Sequence, residues 1–321
     1  MLNDLVKKVF IAGHNGMVGK SIVKAYKNSE MNVELITASR NELDLTNQND
    51  VKKFFEKFSP DIVIIAAAKV GGIYANKTYP ADFIYENLMI EANIIHASYQ
   101  SNVEKLLFLG SSCIYPANAP QPIKEEYLLS GYLEKTNESY AVAKIAGINL
   151  CQAYNQQYGT DFRALMPTNL YGPGDNYHLK NSHVIPAMIR KFYDAKVNKY
   201  GEVVLWGTGT PLREFLYVQD LADACLDILE LSKNEFFKEM DDDCCFLNVG
   251  YGEDITIKNL AVLISEMVGF KGQLKFNINM PDGTMRKILD VSKMNNLGIY
   301  PKVPLKNGLK ITIEEYIKTI T

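Results

Sequence analysis

The chain has 321 residues, 47% of them hydrophobic, with 34 basic against 37 acidic side chains and a formal net charge of −3. That apolar content excludes a disordered chain and allows one large domain or two unequal ones. The near balance of charge excludes a general field for nucleic-acid backbones, so a phosphate-bearing ligand would need a local site.

The first apolar run, Val9 to Gly13, is too short for the core of a secretory signal and lacks a cleavage pattern. No run approaches the roughly 20 residues of a membrane span. The five cysteines, Cys113, Cys151, Cys225, Cys244 and Cys245, form no CxxC pair and leave an odd count, which argues against a disulfide framework. A reducing, cytoplasmic setting is expected. The four histidines show no metal-ligand spacing, so no metal is expected.

Along the first half, short β-branched runs at Lys8 to Gly13, Val33 to Ser39, Ile62 to Ala68, Leu106 to Leu109 and Phe162 to Met166 read as buried strands. Helical patterns at Gly19 to Lys27, Gln48 to Phe58 and Ala81 to Gln100 lie between them. This alternation is the sequence form of an α/β fold, a Rossmann-type doubly wound parallel sheet, expected over residues 1–170. After Pro167 the stretch NLYGPGDNYHLKNSH is too rich in Gly, Pro, Asn and Asp for a regular element and reads as a long functional loop. A helix from Ile185 to Ala195, the strand-like EVVLW, the turn GTGTP, and helices from Val218 to Leu231 and Thr256 to Val268 follow. A PDGT turn then precedes Arg286 and Lys287. Residues 171–321 are expected to form a smaller α/β substrate-binding lobe, with residues 215–250 returning to the first domain.

Directly after the first strand, Gly13, Asn15, Gly16, Met17, Val18 and Gly19 belong to a GxxGxxG run that opens a helix. Glycines there permit a tight turn and close backbone approach, so a pyrophosphate can rest on unpaired N–H groups at the positive end of the helix. The end of the second strand decides which dinucleotide is held. It carries Arg40 where a carboxylate would serve NAD, and a guanidinium suits the 2′-phosphate of NADP(H). The plainer alternative for Arg40 is a solvated strand-end charge.

Tyr140 and Lys144 stand four apart, on one face of a helix. An ammonium and a cationic nicotinamide favour the ionised form of a nearby phenol and make it a proton relay. Leu109, Gly110, Ser111, Ser112 and Cys113 follow the fourth strand at the carboxyl edge of the sheet, where Rossmann-type ligands bind. GxxGxxG, a strand-end serine and a later YxxxK together resemble the extended short-chain dehydrogenase/reductase family. Within it the chain is most similar to the GDP-L-fucose synthases, through GHNGMVG, AAAKVGGIYAN, LGSSCIYP, PTNLYGPGDNYH, NSHVIPA, WGTGTPLREF and PDGTMRK.

The resemblance implies an NADPH-dependent 3,5-epimerisation and 4-reduction of GDP-4-keto-6-deoxymannose. Ser111 and Tyr140 would stabilise charge on oxygen 4, Cys113 and His183 would exchange protons at carbons 3 and 5, and Lys144 would support Tyr140 and the ribose. Pro167, Thr168, Asn169, Leu170 and His183 would complete the cofactor site. Lys191, Arg213 and Lys287 would meet the GDP phosphates and Asp282 the guanosine end. Trp206 would offer a planar face to a base, the plainer alternative being a core tryptophan. A homodimer through the helix at Ala81 to Gln100 and the one bearing Tyr140 is also implied. Two positions depart from the family pattern: Asn15 stands where a basic residue is common, which leaves NADH open, and Gln273 where an arginine can occur. The same residues also suit a C4-reductase of a related GDP-4-keto hexose or heptose that epimerises little or not at all.

Overall fold

The computed structural model describes residues 6–178, 182–241, 244–280 and 282–320. β1 (Lys7–Ala12) ends in four buried apolar residues, the uninterrupted pattern of a strand covered on both faces. There follow α1 (Met17–Asn28), β2 (Val33–Ile36), α2 (Gln48–Phe58), β3 (Ile62–Ile65), a short α3 (Ile73–Thr78), α4 (Pro80–Gln100), β4 (Lys105–Leu109), α5 (Glu138–Tyr158) and β5 (Phe162–Pro167). Element ends have local causes. The Asn47 side chain accepts the N–H groups of Asn49 and Asp50 to start α2, and left-handed Gly159 ends α5. β2 stops at Ile36, short of the expected Ser39, because Ser39 turns away and donates both its N–H and its hydroxyl to Glu42 Oε2 at 2.7 Å.

The remaining elements are β6 (Asn169–Tyr171), α6 (Val184–Val197), β7 (Glu202–Trp206), β8 (Leu212–Tyr217), α7 (Val218–Glu230), α8 (Lys233–Lys238), β9 (Phe246–Val249), β10 (Asp254–Thr256), α9 (Ile257–Val268), β11 (Gln273–Asn277), β12 (Arg286–Lys287), α10 (Ser292–Asn296) and α11 (Leu305–Ile320). One expectation is corrected here. The stretch read as wholly irregular begins with a strand, because Asn169 to Tyr171 pair in parallel with Phe215 to Tyr217 of β8.

Six parallel strands in the order β2-β1-β3-β4-β5-β9 form the main sheet. α2, α4 and α5 bury Phe55, Ile94 and Ile148 on one face, and α1 and α7 bury Ile22, Tyr26, Leu221 and Ile228 on the other. This is the expected doubly wound α/β arrangement. The order reverses between β1 and β3, and in such sheets the ligand crevice opens beyond the carboxyl ends of the strands at that point. A third cluster joins Ile189 and Phe192 of α6, Leu260 and Ile264 of α9 and Leu309 and Ile313 of α11 to Phe215 of β8, making a smaller lobe beside that edge. Among the described residues no helix is long and apolar enough to cross a membrane.

Candidate active site

The turn between β1 and α1 is built as closely as backbone allows. Gly13 has φ +88°, and a Cβ there would lie 2.6 Å from the N of Ala67, just past β3. A Cβ on Gly19 would lie 2.7 Å from the carbonyl carbon of Gly13. α1 starts from Gly16 with no side-chain cap and no acidic residue in its first turn, so its positive end has no competing anion. Asn15 and Gly16 are exposed, while Met17 and Val18 are partly covered. These features fit a pyrophosphate. Arg40 is largely open, with Nη2 3.6 Å from Glu86 Oε2, a carboxylate that Lys69 also holds at 2.5 Å. Such exposed pairs are weak, which leaves the guanidinium available to a stronger anion.

At the end of β4, Leu109 and Gly110 lead into Ser111, whose Oγ accepts the N–H of Cys113 at 3.2 Å and starts a single tight turn, Ser112–Ile114. Gly110 lets the end of the Met166 side chain pack against the backbone, since a Cβ would press within 2.5 Å of its sulfur. Tyr140, on the first turn of α5, hydrogen-bonds Ser111. Lys144 is buried, its Nζ 3.0 Å from the Leu109 carbonyl, 2.9 Å from Glu91 Oε1 and 4.5 Å from the Phe108 ring centre. On sequence an ammonium and a cationic nicotinamide count toward an ionised phenol, whereas the fold adds burial, which acts the other way. Burial first, then Cys113 and Glu91, raise the Tyr140 pKa well above its ordinary value, with only the Ser111 hydrogen bond opposing. Burial thus favours the neutral phenol, the form that donates a proton.

Lys287, assigned by resemblance to the phosphates, has its ammonium 3.8 Å from Cys113 Sγ. Both line a cavity of about 60 Å³ together with Tyr115, Asn137, Thr284 and Arg286. Asn137 Oδ1 is buried there without a hydrogen-bond partner among the described residues, and Arg286 is tied to Asp254 at 2.6 Å. His183 occupies the position before α6 without capping it. Its ring reaches solvent, yet surrounding protein desolvates it enough to lower its pKa and favour the neutral imidazole. Among the described residues no hydrogen bond joins His183 to Cys113 or Tyr140. Pro167 ends β5, and Thr168, Asn169 and Leu170 carry the chain across the same edge into β6. Asn169 Nδ2 donates to the Glu214 carbonyl at 2.9 Å.

In the smaller lobe, Lys191 and Arg213 are partly buried, and burial lowers the pKa of each. Neither has an acidic side chain in ion-pair contact among the described residues. Asp282 acts on Arg213 only at a distance, and half-buried cations so placed fit an anionic ligand such as a diphosphate. Trp206 is 62% exposed at the end of β7, which rules out the core reading. Asp282 accepts the Thr208 N–H at 2.6 Å and its hydroxyl at 2.8 Å, so it closes the 207–210 turn. Leu179, Lys180, Asn181 and Pro281, which belong to the quoted motifs, lie outside the described residues. Two residues that sequence reasoning missed are Glu91 and Asn87. Asn87 pins the loop after β3, accepting the Lys69 N–H at 2.8 Å and donating to the Lys69 and Phe83 carbonyls. A polar residue interrupting the apolar run of α4 was the only signal for either. No cluster of three or more His, Cys, Asp or Glu side chains suited to a metal occurs among the described residues.

The family model described as "NAD dependent epimerase/dehydratase family" matches residues 9–238. The chain is 53% identical to GDP-L-fucose synthase 1 of Arabidopsis thaliana, over 99% of this chain and 96% of that one. It is 52% identical to GDP-L-fucose synthase of Escherichia coli K12, over 97% of each. Among solved structures it resembles the GDP-mannoheptose C4 reductase of Campylobacter jejuni with NADP bound, with a TM-score of 0.87 and 41% identity over 97% of this chain and 98% of that one. With this topology, glycine turn and Ser111, Tyr140 and Lys144 cluster, the chain belongs to the NAD-dependent epimerase/dehydratase family, in the branch that includes the GDP-L-fucose synthases.

Proposed function

We propose that the protein is an NADPH-dependent enzyme that inverts carbons 3 and 5 of GDP-4-keto-6-deoxymannose and reduces carbon 4, giving GDP-L-fucose. The observation that carries this reading is the meeting of Ser111, Tyr140 and Cys113 at the carboxyl end of β4, a hydrogen-bonding pair beside a thiol. Carbons 3 and 5 flank the keto carbon, so their protons are acidified and the enolate charge gathers on oxygen 4. Ser111 and Tyr140 donate hydrogen bonds to that oxygen. Cys113 and His183 act as the base and acid at the two carbons, and Tyr140 finally gives its proton to oxygen 4. Bound NADPH supplies the hydride for carbon 4. Lys144 orients Tyr140 and meets the ribose.

In this reading the first 170 residues, with 215–250, hold the dinucleotide, and 171–321 mainly hold the GDP-sugar. Gly13 to Gly19, Arg40, Leu109 to Ser112 and Pro167 to Leu170 line the cofactor site. Lys191 and Arg213 hold the diphosphate, Trp206 covers the base, and Asp282 acts by fixing the turn beside it. Lys287 serves the sugar end next to Cys113. The protein works in the cytoplasm, in keeping with its free cysteines, as a homodimer through α4 and α5, whose exposed Tyr85, Val142 and Tyr158 are available to a second copy.

A second reading, a C4-reductase that does not epimerise, draws on the likeness to the heptose reductase, 41% identical with a TM-score of 0.87. NADPH oxidation with the keto sugar, followed by identification of the product, separates the two. GDP-L-fucose supports the first reading and an uninverted 4-hydroxy sugar the second.

A further inference from the structure

Glu91 has no part in the mechanism above, yet it is 2% exposed at the middle of α4, where that helix packs on α5. A carboxylate in such a place is costly unless an opposite charge meets it. Lys144 Nζ stands 2.9 Å from Glu91 Oε1, and beyond that ion contact neither oxygen has a hydrogen-bond partner among the described residues. The fold makes room for the pair. Gly147, one helical turn beyond Lys144, lacks the Cβ that would lie 2.8 Å from Glu91 Oε2 and 2.6 Å from the Phe108 ring. Apolar side chains of similar volume commonly stabilise such a site as well as a buried ion pair does, so stability gives no reason for the carboxylate. What it does is hold an ammonium at the carboxyl end of β4, against the Leu109 carbonyl and behind Tyr140.

The geometry points to Glu91 as the positioning residue for Lys144, fixing the ammonium beside Tyr140 and setting how much of its charge reaches the phenol. This rests on the roles of Tyr140 and Lys144 proposed above. The groups that face the pair are Tyr140 on α5, Cys113 from the turn after β4, and Cys151 further along α5 with Cys245 behind it. Burial holds the last two thiols protonated, and it also raises the Glu91 pKa, with the ion contact to Lys144 acting against that rise. The Glu91 carboxylate opposes ionisation of Tyr140. Without it the phenol ionises at lower pH, and reduction, which takes the phenol's proton, fails sooner on the alkaline side.

The test compares wild type, Glu91→Gln and Glu91→Asp in kcat for NADPH oxidation against pH. NADPH affinity is measured by fluorescence without sugar, and thermal unfolding is followed alongside. Glu91→Gln is expected to move the alkaline limb to lower pH by on the order of one unit, the scale for a neighbouring full charge, and to weaken NADPH binding severalfold. Glu91→Asp, with its charge drawn back by one methylene, should move the limb less and in the same direction. A limb that superimposes on wild type in both variants, whatever the loss of rate, overturns the assignment. Should Glu91→Gln not fold, the aspartate variant decides alone. If wild type binds NADPH but turns over no GDP-4-keto sugar, the proposed substrate fails separately, and Glu91 is judged by binding. Equal NADPH affinity of variant and wild type across the pH range would then overturn it.

Discussion

Replacing Asp175 with asparagine is expected to remove a loss of stability that sets in between about pH 4 and pH 7. Asp175 lies in the turn after β6, where its Oδ1 accepts the Asn176 N–H at 2.7 Å. Among the described residues its Oδ2 is buried without a hydrogen-bond partner, as is one oxygen of Glu315 of α11, which adds like charge. Burial above all, and then Glu315, raise its pKa from 3.8 to about 7. Because the folded-state value is raised, the native protein keeps a proton that the unfolded chain gives up near pH 4. The associated stability is complete below that pH and is lost as pH rises through about 7. Between pH 5 and pH 8 the loss is at most about 3 kcal/mol, taking 1.36 kcal/mol per unit and less where water reaches the loop. Asparagine keeps the acceptor for Asn176, adds a donor for Glu315 and does not titrate. Urea unfolding of both proteins at pH 5 and pH 8 should therefore show the variant gaining on wild type with pH, at similar m-values. A difference that stays constant, or grows toward acid, would mean that Asp175 does not carry this pH dependence.

Gly19→Ala should weaken NADPH binding by about 10- to 100-fold and lower stability by about 1–3 kcal/mol, since both neighbours of the new Cβ are backbone and cannot yield. Unchanged affinity in a fluorescence titration would contradict the close-packed turn. Arg40→Ala should raise the Kd for NADPH by about tenfold or more, the scale of a charge-assisted hydrogen bond, and leave that for NADH unchanged. Parallel titrations check this, and equal losses for both nucleotides would remove Arg40 from the 2′-phosphate. Cys113→Ser should cut solvent-deuterium uptake by the sugar by about 100-fold or more while NADPH affinity holds, and uptake at the wild-type rate would exclude Cys113 as a base.

The parts of the site legible in the sequence were those carried by local spacing. Gly13, Gly16 and Gly19 mark a turn wherever they follow a strand and precede a helix, and the four-residue step from Tyr140 to Lys144 fixes a helix face by itself. What could not be read was set by chain segments far apart in sequence. Glu91 reaches Lys144 from another helix, and Lys287 comes to Cys113 across 174 positions. The environment of Tyr140 has the same origin, since the spacing to Lys144 is legible in the sequence whereas burial of the phenol and the nearness of Cys113 and Glu91 come only with the fold. Asp282 is placed at the guanosine end by resemblance alone, and its two bonds to Thr208 could not be read from a sequence separation of 74 positions. β6 was hidden because its three residues precede Gly172 and Pro173, and only pairing with β8 makes them a strand.

The proposed function has one site both inverting two carbons and reducing a third. It is tested most directly by running the reaction with NADPH and GDP-4-keto-6-deoxymannose in deuterated water and locating deuterium in the product. Label at carbons 3 and 5 of GDP-L-fucose, formed as NADPH absorbance at 340 nm falls, is the predicted result. A reduced sugar without label at either carbon would contradict it and leave a reductase alone.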